Sequence, residues 1–253
     1  MCGFVGYVEK GKKDTKIVKV MADTIKHRGP DDEGIYEDAG VSLAFRRLSI
    51  IDLSNGHQPM FNEDKSMVIL FNGEVYNFQE LRKDLEEKGH IFCNNSDTET
   101  ILHGYEEYGE NITKKLRGMF AFVIWDIKNQ KLFGARDPFG IKPFYYYNSD
   151  NLFIFGSEIK SFIPHPEFKK ELNEKALKTY LTFQYSALDE TFFKGVFRLK
   201  PGHQFTYETG KLNITEYYEA VFSEKKQDFE ETVNKIHETV KSSIDYHRIS
   251  DVE

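Results

Sequence analysis

The chain is poor in cysteine, with two Cys in 253 residues. Two Cys cannot build a disulfide framework, and no Cys-x-x-Cys pair offers a zinc site. The eight His show no His-x-x-x-His spacing, so no metal is expected from the sequence. Long apolar runs are missing too. The longest, Gly118 to Trp125, is stopped by Arg117 and Asp126, far short of the roughly 20 residues of a membrane span. There is no excess of basic residues: the net charge of −7 excludes a nucleic-acid footprint. The first residues, Met1 to Val8, run straight into Glu9 without a basic start or an h-region of signal-peptide length. Gly stands at position 3, where myristoylation would need it at position 2. A reduced, cytoplasmic chain is the expectation. Internal repeats and low-complexity tracts are absent from the sequence.

What is present is a globular composition, 40% hydrophobic and 30% charged. The length allows one large domain or two small ones. Alternation predicts a strand over Gly3–Glu9. Ile17, Val18, Met21 and Ile25 share a face of a helix expected over Asp14–Lys26. His27 to Asp32 reads as a loop closed by Pro30. Strands are expected near Val41–Phe45, Leu48–Ile51 and Met67–Phe71. A helix over Asn77–Lys88 stops at Gly89. Ser96-Asp97-Thr98-Glu99 is a capping-box pattern that opens another helix. Strands are expected again over Gly118–Ile127, Lys131–Ala135, Phe144–Tyr147 and Leu152–Gly156. Ser157–Phe162 and Asn173–Thr182 read as helical. Further strands lie near Phe192–Leu199, Gln204–Tyr207 and Lys211–Tyr218. After a polar break at Ser223–Asp228, Phe229, Val233, Ile236, Val240, Ile244 and His247 recur at spacings of 3 and 4. That marks a long amphipathic helix whose stripe needs a partner.

Four features put special residues where a buried strand ends. Removal of Met1 would leave Cys2 with a free α-amine, a base beside its own thiol. Asn72-Gly73 after a strand is most simply a turn, but an Asn side-chain amide and a Gly N–H also make an oxyanion hole. Arg46 and Arg47 lie in an apolar stretch, where they either snorkel at an edge or bind a carboxylate bidentately. Asp97 is either a capping residue or the partner of a substrate ammonium. Together they describe one pocket. Arg47 would hold an α-carboxylate and Asp97 an α-ammonium. Asn72 and Gly73 would hold a side-chain carbonyl oxygen, with Cys2 attacking that carbonyl. A free amino acid with a side-chain amide fits, glutamine first.

These residues lie in stretches that resemble a known family. The stretches are Cys2-Gly3-Phe4-Val5-Gly6, His27-Arg28-Gly29-Pro30-Asp31, Arg47 to Asp52, Phe71 to Asn77, Ser96 to Glu99 and Arg117 to Phe122. Ala135 to Pro143 and Gly156 to Lys160 complete the set. They stand in family order over nearly the whole chain. The sequence is similar to the N-terminal glutaminase domains of glutamine-hydrolysing asparagine synthetases, which are class II glutamine amidotransferases. The resemblance implies an α+β fold, a four-layer αββα sandwich of two antiparallel sheets between helices (the N-terminal-nucleophile hydrolase fold). It implies Cys2 as nucleophile, Asn72 and Gly73 as oxyanion hole, and Arg47 and Asp97 as glutamine clamps. Glu74 and the backbone at Ile50 and Ile51 resemble further glutamine contacts, and Arg28 resembles a residue ordering a loop that closes over glutamine.

The resemblance also implies a division of the chain. Residues 2–220 would be the glutaminase domain. Residues 221–253 would be a linker and the first helix of a C-terminal synthetase domain, cut short here. ATP and Mg²⁺ are expected for the full-length enzyme and no cofactor for this portion. Glutamine and the C-terminal domain are the expected partners, nucleic acid and membrane are not, and a homodimer is left open. The alternatives are another class II amidotransferase, a synthetase-like enzyme with a different acceptor, or a non-catalytic assembly module.

Overall fold

The computed structural model describes residues 1–9, 15–49, 56–186, 188–224 and 228–248. Twelve strands are described: β1 (Gly3–Glu9), β2 (Asp32–Glu37), β3 (Ser42–Arg47), β4 (Met60–Phe61), β5 (Met67–Val75), β6 (Gly118–Asp126), β7 (Lys131–Arg136), β8 (Tyr145–Asn148), β9 (Leu152–Gly156), β10 (Val196–Arg198), β11 (His203–Glu208) and β12 (Lys211–Glu216). The α-helices are α1 (Thr15–Asp23), α2 (Phe78–Glu87), α3 (Asp97–Tyr108), α4 (Glu174–Phe183) and α5 (Phe229–His247).

The strands form two six-stranded antiparallel sheets. One has the order β10-β8-β9-β1-β3-β2 and the other β12-β11-β7-β6-β5-β4. Alternation along the strands sends every second side chain between the sheets. Phe4, Leu43, Phe45, Phe153 and Phe155 meet Val68, Leu70, Val123, Trp125 and Phe205 there. The opposite faces are covered by helices. Val18, Met21 and Ile25 pack on Val5, Tyr7 and Ala44 outside the first sheet. Phe78, Leu81, Ile101 and Leu102 pack on Ile69, Phe71, Phe120 and Phe122 outside the second. This is the expected αββα sandwich.

The departures from expectation have local causes. α1 stops at Asp23 because the Thr24 hydroxyl donates to Met21 O (2.7 Å) and Ile25 N donates to Ala22 O (3.1 Å). These bonds tighten the end into a 3₁₀ turn at Lys26–Arg28. The Asp14 start lies outside the described residues. β2 was not expected, because its charged sequence hides its alternation, and it takes in Asp32, which was read as the end of a loop. Leu48 and Ser49 do not extend a strand. Leu48 uses both backbone groups on Cys2 Sγ, and Ser49 N donates to Asp31 Oδ2 (2.9 Å). β10 is shorter than expected because Gly195, at φ +75°, breaks the run before Val196. β5 runs on through Asn72 and Gly73 to Val75, paired with β6 throughout. The Asn-Gly pair is therefore strand and not turn.

Candidate active site

Four elements converge on one cavity. Cys2 comes from the start of β1, Arg47 from the end of β3, Gly73 and Glu74 from β5, and Asp97 and Thr98 from the start of α3. Leu48, Gly56, Gln58, Phe71 and Ser96 complete its lining.

The Cys2 thiol is held by one residue. It donates to Leu48 O and accepts from Leu48 N, both at 3.3 Å. Burial pushes the thiol above its ordinary range, against the Leu48 N–H, which lowers it. A thiol so placed does not ionise unaided near neutrality, so its chemistry needs a base. Burial also pushes the chain's α-amine, here on Met1, below its usual value.

Arg28 holds the backbone of the same residue. Its Nε donates to Cys2 O (2.9 Å), and its Nη1 pairs with Glu158 at 3.1 Å. Arg28 was expected after the first helix, as a residue ordering a loop that closes over glutamine. It stands in the 3₁₀ turn after α1, where Glu158 and the Cys2 carbonyl supply both ends of its fork.

The two neighbouring arginines separate by strand alternation. Arg46 turns to the helix side, where it bonds the carboxylates of Asp23 and Glu33. Arg47 turns to the cavity and is buried. On β5, Asn72 is 1% exposed, and its Nδ2 has no hydrogen-bond partner. A buried amide N–H without a partner is costly to keep, so this donor is free for a ligand oxygen. Gly73 pairs with Phe120, and a Cβ there would run into the Met119 carbonyl. Burial raises the Glu74 carboxyl, opposed by the charge of Lys142.

Asp97 is placed by its helix cap. Ser96 Oγ accepts from Glu99 N (3.3 Å), as a capping residue should. The Glu99 carboxylate does not return to Ser96 N. It accepts from Cys93 N (2.7 Å) and Asn94 N (2.9 Å). Asp97 Oδ2 accepts from Val75 N (2.9 Å), fastening the helix start to the end of β5. Burial pushes its carboxyl up to about 7, partly opposed by the Val75 N–H.

Ile50 and Ile51 lie outside the described residues. Three other cavity neighbours carry little signal in the sequence. Gln58 brackets β5: its Nε2 donates to Phe71 O (3.1 Å) and its Oε1 accepts from Phe71 N (2.7 Å). Thr98 lies within 3.4 Å of Gln58 Nε2. Lys142 is buried, which lowers its pKa, and its charge acts on Glu74 and Cys2. The loop that delivers Lys142 is built by its neighbours. Asp137 accepts from the backbone N–H groups of Phe139, Ile141 and Lys142, and Arg136 donates to the carbonyls of Gly140, Lys142 and Leu199. No helix among the described residues is long and apolar enough to cross a membrane.

The chain is similar to known proteins over its whole length. The chain is 41% identical, over its whole length, to asparagine synthetase [glutamine-hydrolyzing] 1 of Bacillus subtilis, covering 41% of that protein. It is 38% identical to asparagine synthetase [glutamine-hydrolyzing] 3 of the same organism, covering 42% of it. The chain thus spans about two fifths of the length of these curated relatives. Among solved structures, the glutamine phosphoribosylpyrophosphate amidotransferase of B. subtilis superposes with a TM-score of 0.63 at 17% identity, over 87% of this chain and 50% of that one. That likeness establishes the fold. A family model described as glutamine amidotransferase domain matches residues 1–218. The chain belongs to the glutamine amidotransferase domain family.

Proposed function

We propose that the chain is the glutaminase portion of a glutamine-hydrolysing asparagine synthetase. The observation that carries the proposal is the meeting of the Cys2 thiol with Arg47, Gly73, Glu74 and Asp97 around one cavity, beside the unpartnered Asn72 amide. With Met1 removed, the α-amine of Cys2 takes the thiol proton and Sγ attacks the side-chain amide carbon of glutamine. Asn72 Nδ2 and Gly73 N–H stabilise the oxygen that becomes negative. The C–N bond breaks, the amine returns its proton, and ammonia leaves a glutamyl thioester. Water then attacks the thioester, releasing glutamate and the thiol. Arg47 binds the glutamine carboxylate, and Asp97 and Glu74 surround its ammonium. The backbone near Ile50 and Ile51 would complete the contacts.

In this reading residues 2–220 form the glutaminase domain, and residues 221–253 begin the synthetase portion. There ATP and Mg²⁺ would activate aspartate for amidation by the released ammonia. The relatives' greater length and names support this division.

The test is glutamine hydrolysis by the chain, with N-terminal mass analysis. Protein lacking Met1 should release glutamate slowly, and Cys2→Ala should release none. An unchanged rate in Cys2→Ala overturns the mechanism.

A further inference from the structure

A second cluster of chemistry-bearing side chains lies on the outer, helix-covered side of the second sheet. It takes one residue from the β4–β5 turn (Glu63), one from the loop after α2 (His90) and two from α3 (His103 and Glu106). One ligand atom each from Glu63, His90 and His103 lie within 4.8 Å of one another. Glu106 Oε2 stands 2.7 Å from His103 Nδ1 and 3.9 Å from His90 Nδ1, and Glu63 Oε2 stands 3.6 Å from His103 Nδ1. Four ligands around zinc at about 2.0–2.1 Å are separated by about 3.3 Å. The separations of 2.7, 3.6 and 3.9 Å bracket that spacing.

The carboxylates are already oriented. Glu106 Oε1 accepts from Asn62 Nδ2 (2.7 Å) and Glu63 Oε1 accepts from Ile91 N (3.3 Å), leaving the Oε2 atom of each turned to the imidazoles. Hydrogen bonds of this kind orient metal ligands. On the far side of the His103 ring, Nε2 is buried without a hydrogen-bond partner, with Glu99 Oε1 3.7 Å away. A carboxylate behind a metal-bound imidazole is the usual arrangement. Charge favours a cation as well, since Glu63, Glu99 and Glu106 surround the two imidazoles, while Glu107 is already paired with Lys88. The ion has a way in: the Glu63 side chain is 38% exposed, while His103 is 1% exposed.

We propose that His90, His103, Glu63 and Glu106 form a zinc-binding site that ties α3 to the β4–β5 turn and to the loop before α3. Two imidazoles and two carboxylates are a donor set that suits Zn²⁺ and does not select Mg²⁺ or Ca²⁺. Closed by four protein ligands, the site is structural. The sequence gives no hint of it, because His90 and His103 are brought together only by the fold.

The competing reading is an ion-pair network in which the carboxylates hold a protonated His103 and no metal enters. Calorimetric titration of ZnCl₂ and CoCl₂ into the metal-free chain, with thermal unfolding in parallel, separates the two. The background is Cys2→Ala, so that the active-site thiol is removed as a ligand. The site predicts one-to-one zinc binding, a higher Tm with zinc, and the strong visible absorption of four-coordinate Co²⁺ without a thiolate charge-transfer band. Glu63→Gln alters the most exposed ligand and should fold and melt like the parent without metal, and His90→Gln is compared with its own metal-free Tm. Each should weaken zinc binding by at least about tenfold and lose the zinc-dependent rise in Tm. His103→Ala should do the same, though its burial adds a stability cost. No stoichiometric binding, or binding unchanged in Glu63→Gln and His90→Gln, overturns the site.

Discussion

Asn72 shows how much a single residue carries. Read in the sequence, Asn-Gly suggested a turn or an oxyanion hole. Strand pairing through Val75 removes the turn, and the unpartnered Nδ2 leaves a donor waiting for an oxygen. Asn72→Ala should therefore lower kcat for glutamine hydrolysis by about 10²–10³, or about 2.7–4 kcal/mol. KM should change little, because the donor acts on charge formed in the transition state. Steady-state kinetics checks this, and a denaturation curve should show little loss, since Nδ2 makes no hydrogen bond to break. Asp97 gives a pH signature. Its folded value of about 7 lies above the roughly 3.9 of an unfolded chain. The folded state therefore binds the extra proton between these values, and this contribution to stability is lost as pH rises from about 4 to about 7. Urea midpoints of wild type and Asp97→Asn should diverge over that window, in favour of the variant, and run parallel above it. A glutamine ammonium pairs only with ionised Asp97, so affinity should rise over the same window in the wild type alone. Cys2, Arg47 and Asp97 stood out in the sequence only as a set, since each alone has an ordinary reading, Asp97 as a capping residue among them. The cavity contact of Gln58 and the charge that Lys142 brings to Glu74 and Cys2 were not legible, since nothing in a Gln before Pro or a Lys in a loop announces either.

Elements place these residues, and their caps and bulk are readable from pattern. The Ser96 cap was explicit in the sequence, and α3 begins where it predicts. Ser96→Ala should cost about 1 kcal/mol of stability and raise KM for glutamine, because the first turn of α3 presents Asp97. Chemical denaturation and kinetics on one variant test both. The Glu99 half of the capping box escaped the pattern: its carboxylate serves Cys93 and Asn94 because the incoming loop is nearer than Ser96 N. Arg46 and Arg47 were indistinguishable until β3 gave them opposite faces. The charged edge strand β2 was hidden for a related reason. Its side chains alternate between sheet and solvent, but both sets include polar residues, so period 2 carries little contrast.

At the scale of the whole molecule the sandwich is self-contained and α5 is not. α5 touches the rest of the chain near its end. Tyr246 donates to Glu80 (3.0 Å), Arg117 stacks on the Tyr246 ring, and His247 lies against Tyr76. Its stripe of Phe229, Val233, Ile236, Val240 and Ile244 is exposed, with Phe229 at 79%. An uncovered apolar stripe invites association. Replacing Ile236 and Val240 by Glu should reduce concentration-dependent light scattering and leave the melting of the sandwich unchanged. The stripe was legible as periodicity, but what covers it was not, because a helix records only that its face is apolar. Fold and pocket were legible together because the buried strands that build the sheets also carry Cys2, Arg47 and Asn72 to one site.

The most direct measurement is to label the Met1-free chain with a glutamine analogue carrying an electrophilic side chain and to map the adduct by peptide mass spectrometry. The account predicts one adduct per chain, on Cys2, with loss of glutaminase activity in proportion and protection by glutamine. Cys93 is exposed and serves as the internal control. An adduct on Cys93 alone, or an active chain with Cys2 fully labelled, would contradict the assignment of Cys2 as the nucleophile.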